Sequence, residues 1–477
     1  MFRAPRFSIE LDRSGDGSMQ TPKKQGLWDY MDAMCKDGRE NPLWGDRDGW
    51  LSAETIRERI LGLAARYREE GLGAGDLVGF VPERSVRGAI TLMALRHIGA
   101  CAVLLHPRNE VSFALAGRID PEGHFVRTGE AKAPYPDAGY VVFSSGSTGE
   151  PKAVCLSDDN FIWNLLDFCP LGCYETDDVA LGALPLDHVF GLVLLLGTLV
   201  LGYRLYFPEA TAPEHLLNAI REQGITRMNG VPSLYLKLAE LATAQDVPSL
   251  RAGFVGGGPM SEAQFAMIEA RLGMTLIPVY GMSECIGIAC ADGRSPQEVR
   301  KGCVGRVYPM NRVRIRRADG TWAREGEEGE ILVDGPSRML GYLPAEEVRP
   351  DMLATGDLGI LTGEGLVLTG RKRDIIIRCG MNLRPRKIEE ALRDIKGVMD
   401  AAVVGIPSDT EGEVPAAMVC PAFLEPAKIS EQLAQVLSRL EMPVCILAAD
   451  ALPVTRTGKP DRTRIRKELE AWRDGQS

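Results

Sequence analysis

Residues 140–152 read YVVFSSGSTGEPK. The apolar run Tyr140–Phe143 has the length and β-branched content of a buried strand. Hydroxyls at Ser145, Ser147 and Thr148, glycines at Gly146 and Gly149, and Lys152 follow it directly. A helix signal around Asp159–Leu166 comes next. Glycines there let a backbone approach a ligand closely, and N–H groups and hydroxyls donate to phosphate oxygens. The stretch therefore describes a phosphate-holding loop behind a strand. It is no Walker A loop, because GxxxxGK[ST] does not align with it. On composition alone it reads equally as a solvated Ser/Gly turn.

Working outward, strand and helix patterns alternate from about residue 50 to 290. Ser52 caps a helix whose Ile56, Ile60, Leu63 and Tyr67 share a face. LVGFV at Leu77–Val81, the helical VRGAITLMALRHIG and the strand CAVLL (101–105) follow. Further short apolar strands are expected in 179–184, 204–207, 225–229, 252–255 and 275–279. Such alternation means βαβ units and mostly parallel sheets. Residues 107–139 are Pro- and Gly-rich and read as a connection. After Gly302, RVRIRR, GEILV, LGILT and GLVLTG predict a small β-barrel-like or antiparallel subdomain. A boundary falls near Gly370–Arg373. Beyond it DIIIRCG, a helix at 385–395, AAVVGIP, PAAMVCPAF and a helix at 429–439 predict a compact α+β unit. The expected fold class is thus α/β, with a large N-terminal domain over 1–370 and a small α+β C-terminal domain over 371–477.

Composition removes several function classes. The 477 residues carry a formal net charge of −10, which disfavours sequence-independent nucleic-acid binding and a polybasic membrane anchor. Eleven cysteines are scattered without CxxC pairs, and the five histidines never form HxxxH, so no zinc site is expected. The N-terminus has no apolar signal region, and a cytoplasmic location is expected. The most apolar stretch, VFGLVLLLGTLVLGY between Asp187 and Arg204, spans only about 24 Å as a helix, short of a bilayer core. It reads as a buried helix.

Four further motifs carry chemistry. Tyr280-Gly281-Met282-Ser283-Glu284 follows the strand TLIPV and offers an aromatic face, close approach at glycine and a carboxylate for a divalent metal. Asp357 in Ala354-Thr355-Gly356-Asp357 can accept ribose hydroxyls. Gly370-Arg371-Lys372-Arg373-Asp374 marks the domain boundary. Leu452–Lys459 (LPVTRTGK) places a lysine on a glycine-containing loop near the C-terminus. Alone, each is also what an ordinary turn or surface lysine looks like.

Together and in this order, they resemble the acyl-adenylate-forming (AMP-binding) superfamily of acyl- and aryl-CoA synthetases, nonribosomal peptide synthetase adenylation domains and luciferases. The resemblance implies that Ser145, Gly146, Ser147, Thr148, Gly149 and Lys152 hold ATP phosphates, with Ala153 where relatives usually carry glycine. It implies that Gly256, Gly257 and Gly258 line the adenine and acyl pockets, and that Tyr280 stacks on adenine beside Gly281 and Met282. Ser283 would contact phosphate in place of the more usual threonine. Glu284 would hold Mg²⁺, Asp357 would bind ribose with Arg371 as its partner, and His188 in LPLDHVFG would gate the carboxylate pocket. Arg373 would be the hinge, where Asp or Lys is more usual. Gly380 would border the pantetheine tunnel, and Lys459 would be the catalytic lysine. Asn229, Gly230 and Ile286 join the acid-pocket candidates, and their small or apolar character suits an aryl or a short to medium alkyl acid.

The implied function is ATP-dependent activation of a small-molecule carboxylic acid as acyl-adenylate, with pyrophosphate release, then transfer to a thiol. CoA is the expected acceptor. The alternatives are a standalone adenylation enzyme loading the phosphopantetheine of a separate carrier protein, and a non-catalytic nucleotide-binding protein on the same fold. ATP, Mg²⁺ and CoA or phosphopantetheine are the implied cofactors.

Overall fold

Ser52 opens the first long helix, Ala53–Glu69, by accepting a hydrogen bond from the Thr55 N–H; Ile56, Ile60, Ala64 and Tyr67 are its buried face. Ser85 caps Val86–Ile98 in the same way, and Gly99, left-handed at φ 86°, ends it. These helices belong to a computed structural model that describes residues 26–36, 42–106, 111–144, 151–172, 174–258, 260–300, 303–344, 350–408, 410–455 and 459–475.

Two βαβ sheets carry the N-terminal body. In one, the strands run in the order Arg306–Val307, Ala289–Cys290, Thr275–Tyr280, Ala252–Val255, Arg227–Gly230, Val179–Leu181, Arg204–Tyr206, Pro42–Asp46 and Gly49–Ser52. Its six central members pair in parallel, with antiparallel strands at both ends. In the other, Gly341–Leu343, Lys152–Leu156, Tyr140–Ser144, Cys101–Leu104, Leu77–Phe80, Gly117–Ile119 and Phe125–Arg127 lie side by side. Helices cover the faces. Val189–Leu201 is buried nearly all round, which explains its apolar composition. Among the described residues no helix is long and apolar enough to cross a membrane.

One local expectation gains an element and two change. The helix expected around Asp159–Leu166 forms, but it does not follow the phosphate-loop motif directly. A strand, Lys152–Leu156, intervenes and pairs antiparallel with Tyr140–Ser144, with Ser144 opposite Lys152; the helix Asp158–Gly172 follows. Within 107–139, Gly117–Ile119 and Phe125–Arg127 form a sheet-edge hairpin, each too short to show a period. The helix expected at 429–439 runs Pro426–Leu433: proline favours the first helical turn, and Val436 beyond the end is exposed.

The region after Gly302 forms a four-stranded antiparallel sheet, in the order Arg312–Arg316, Glu328–Asp334, Leu353–Thr362 and Gly365–Arg371. The C-terminal unit is a five-stranded mixed sheet, led by the long pair Asp400–Ser408 and Gly412–Cys420, with helices Pro385–Arg393 and Arg462–Asp474 against it. Its own apolar core centres on Ile388, Leu392, Val403, Ala417, Val419 and Leu433. The chain crosses between the bodies at the 3₁₀ turn Lys372–Asp374. On one side Lys372 pairs with Glu330 of the antiparallel sheet at 3.2 Å; on the other Asp374 pairs with Arg462 at 3.1 Å. Gln264 donates to the Met399 carbonyl, and Arg384 pairs with Glu328, across the same divide.

Candidate active site

The loops leaving the C-terminal ends of the parallel strands converge on one cavity of about 610 Å³. The antiparallel sheet adds Asp357 and Arg371 to its wall, and the C-terminal unit adds Thr455 and Lys459.

Asp357 and Arg371 are cross-strand neighbours, so the register of two strands sets their ion pair, Arg371 Nε to Asp357 Oδ1 at 2.9 Å. The second carboxylate oxygen of Asp357 accepts from the Tyr280 hydroxyl at 2.8 Å. Burial and the neighbouring Asp357 charge push the Tyr280 phenol well above its usual pKa, so it stays a donor. Glu284 is buried, and its Oε1 accepts from the Tyr342 hydroxyl at 3.0 Å. The Lys152 ammonium lies 5.0 Å from the centre of the Tyr342 ring, a cation–π distance. A buried carboxylate offers a hard cation one oxygen ligand, the others coming from phosphate and water, while an ammonium pairs with phosphate.

His188 is the N-cap of Val189–Leu201; its Nδ1 accepts from the Phe190 N–H at 3.2 Å, which orients the ring in the cavity wall. Lys459 enters from a short hairpin closed by pairing of Val454 with Pro460 and by the Thr455 N–H donating to the Lys459 carbonyl. Its side chain passes close to Gly257, where a Cβ would stand 3.5 Å from Lys459 Cε. Burial, aided by Arg371 and Arg373 and opposed by Asp357 and Glu284, draws the Lys459 ammonium down to a pKa of about 8.

The structure thus brings together Lys152, His188, Asn229, Gly256, Gly257, Gly281, Met282, Ser283, Glu284, Ile286, Asp357, Arg371, Arg373 and Lys459. Ser145, Gly146, Ser147, Thr148 and Gly149 lie outside the described residues. Tyr280, Gly230 and Gly258 stand beside the cavity without lining it, and Tyr280 is spent on Asp357. Gly380 is exposed at the turn between Ile376–Arg378 and Met381–Leu383, away from the cavity. Sequence reasoning missed Tyr342, the Glu330–Lys372 pair and the aromatic wall of Phe168, Phe254 and Tyr308. No local pattern marks them, because each meets the site only through long-range packing.

Comparison with known proteins agrees with this geometry. The AMP-binding enzyme family model matches residues 113–343, and that for the AMP-binding enzyme C-terminal domain matches 387–459. The chain belongs to this family of adenylate-forming ligases. It is 29% identical to a feruloyl-CoA synthase of Amycolatopsis over 463 residues, covering 88% of this chain and 94% of that one. It is 30% identical to a sulfoacetate–CoA ligase of Cupriavidus necator over 344 residues, or 70% and 67% of the two chains. The ATP-bound MatB structure from Rhodopseudomonas palustris shares the fold, with a TM-score of 0.82 at 23% identity over 93% of this chain and 99% of that one. The protein is an AMP-forming acid–thiol ligase: it activates a carboxylic acid with ATP as an acyl-adenylate, then passes the acyl group to a thiol.

Proposed function

We propose that CoA is the acceptor, that the cavity is the adenylation site, and that residues 371–477 act as a mobile lid pivoting at Arg373. One observation carries this reading. The Lys459 ammonium reaches from the C-terminal unit into the cavity that also holds Glu284, Asp357 and Arg371. In this orientation the lysine serves the first half-reaction. A carboxylate oxygen of the acid attacks the α-phosphorus of ATP, the bond to pyrophosphate breaks, and charge builds on the α-phosphate oxygens. Lys459 stabilises that charge, and the Lys152 ammonium beside Tyr342 is a second cation for the phosphates. Asp357, fixed between Arg371 and Tyr280, receives the ribose hydroxyls. Glu284 is the residue that would hold Mg²⁺, and the cation would offset the charge of the triphosphate. His188, fixed by its cap bond, stands at the acid side. In the second half-reaction the thiolate attacks the acyl carbon and AMP leaves with the bonding electron pair. That step needs the lid to turn, bringing Gly380 toward the site and withdrawing Lys459.

CoA is favoured as acceptor because the feruloyl-CoA synthase and the sulfoacetate–CoA ligase both use it by name. The test supplies purified protein with ATP, Mg²⁺, a turned-over acid, and either CoA or a phosphopantetheinylated carrier protein. Thioester formed on CoA at a rate matching pyrophosphate release supports the reading. Acylation of the carrier alone assigns the acceptor to a protein.

A further inference from the structure

The acid-binding half of the cavity is chemically specific. Its wall is aromatic and aliphatic: Phe168, Phe190, Phe254, Tyr308, Val279 and Ile286. Phe168, Phe254 and Tyr308 are buried and packed together, with Phe168 4.6 Å from Phe254 and 6.2 Å from Tyr308 between ring centres, tilted by 57° and 51°. Glycines keep the space between the rings open. A Cβ at Gly287 would stand 2.8 Å from the Tyr308 ring, and one at Gly256 2.9 Å from Val279. Among the described residues this wall carries no Lys, Arg, Asp or Glu. The charged lining residues belong to the group around Asp357, Glu284, Glu330 and Lys459.

Two amides face this half, and they differ. The Asn164 Nδ2 is engaged, by the Gly287 carbonyl at 2.9 Å and the Ser337 hydroxyl at 3.1 Å. Asn229 instead uses its oxygen, accepting from the Tyr174 hydroxyl at 3.2 Å, and its Nδ2 has no hydrogen-bond partner among the described residues while the residue lines the cavity.

We infer that the acid is an aryl monocarboxylate bearing an oxygen substituent on its ring, with Asn229 as the residue that selects the oxygen. The inference rests on the adenylation reading above and narrows its substrate. Tilted ring faces receive another aromatic ring edge-on or offset, a geometry an alkyl chain cannot exploit. A second carboxylate or a sulfonate would lose its hydration against a wall with no cation to pair it. A ring hydroxyl or ether oxygen accepts from the Asn229 amide and replaces a hydrogen bond to water.

The experiment measures pyrophosphate release with ATP and Mg²⁺ over matched acids: hydroxylated and unsubstituted benzoates and phenylpropenoates, benzene dicarboxylates, sulfobenzoates, and alkyl acids of equal carbon number. Binding of the same acids in the presence of AMP is followed in parallel by thermal shift. The expected kcat/KM for oxygenated aryl monoacids exceeds that of the dicarboxylates and sulfonates by on the order of a hundredfold. Asn229→Leu should cut the preference for the oxygenated over the unsubstituted ring by about tenfold. Asn229→Asp, which still accepts from Tyr174, should do the same if loss of the donor and not of the fold is responsible. Equal turnover of dicarboxylates or alkyl acids overturns the inference, as does an unchanged ring-oxygen preference in both variants. Pyrophosphate release with none of the acids overturns the adenylation reading instead. The thermal shifts then judge the pocket independently: a larger shift with oxygenated aryl acids supports the inference, and equal shifts across the panel reject it.

Discussion

The ammonium of Lys459 carries the chemical argument at the scale of one residue. Its pKa of about 8 lies below the usual lysine value of 10.5 because the docked loop removes water from it. The docked, charged lysine is therefore penalised below about pH 8, and that penalty fades as pH rises from 8 toward 10.5. Stabilisation of the α-phosphate runs the other way, since it needs the charged form. The adenylation kcat/KM for ATP should fall above about pH 8, and Lys459→Arg, slower but permanently charged, should lose that limb. A pH–rate profile of both proteins checks this; the same limb in the arginine variant contradicts it. Lys459→Ala should lower adenylate formation on the order of 10²–10³-fold, yet convert supplied acyl-adenylate and CoA to thioester at close to the normal rate. Stopped assays of the two half-reactions separate the effects, and normal adenylation by the variant would reduce Lys459 to a surface lysine. Glu284→Gln keeps the bond from Tyr342 but is a poorer ligand for a hard cation. A raised Mg²⁺ requirement in pyrophosphate exchange is the expected outcome; an unchanged Mg²⁺ titration rejects the assignment.

Among the elements, the turn Gly281–Gly287 shows how local geometry builds the site. The motif suggests that Gly281 admits a ligand. In the structure the glycine admits the turn itself: a Cβ there would lie 1.9 Å from the Ile286 carbonyl oxygen. Ile286 follows at φ 57°, a left-handed conformation that is unusual for a β-branched residue. This reversal is what sets Glu284 on the cavity wall while the strand Thr275–Tyr280 delivers Tyr280 to Asp357. Gly281→Ala should destabilise the protein by about 1–3 kcal/mol and raise the KM for ATP. Denaturant unfolding measures the first; wild-type stability with wild-type KM would mean that the turn relaxes around the methyl.

Two bodies, each with its own core, meet at the cavity and are joined at Lys372–Asp374. The neighbours of Arg373 are tied to opposite sides, Lys372 to Glu330 and Asp374 to Arg462, and in the proposed lid motion the rotation would concentrate at Arg373. Proline is compatible with the first turn of the 3₁₀ segment and fixes φ near −65°. Arg373→Pro should therefore retain adenylation in the present orientation and lose thioester formation at least tenfold. Equal loss in both half-reactions, measured on the same preparation, places the pivot elsewhere.

Local chemistry in the chain was enough to establish the alternating strands and helices and the Ser52 cap, and it singled out Lys152, Glu284, Asp357, Arg371 and Lys459, which the fold places around one cavity. Periodicity, capping and glycine-rich turns act within a few residues, and the ligand-facing motifs sit at strand ends where such signals are strongest. The hairpin at 117–127 escaped because three-residue strands have no measurable period. Tertiary structure alone decided that Tyr342 holds Glu284 across 58 positions and that Tyr280 turns its hydroxyl to Asp357 across 77. It alone gathered Phe168, Phe254 and Tyr308 into one wall. In sequence Tyr342, Phe168, Phe254 and Tyr308 are ordinary aromatic residues. Only parallel-strand register and helix packing determine which buried faces meet around a cavity and which meet each other.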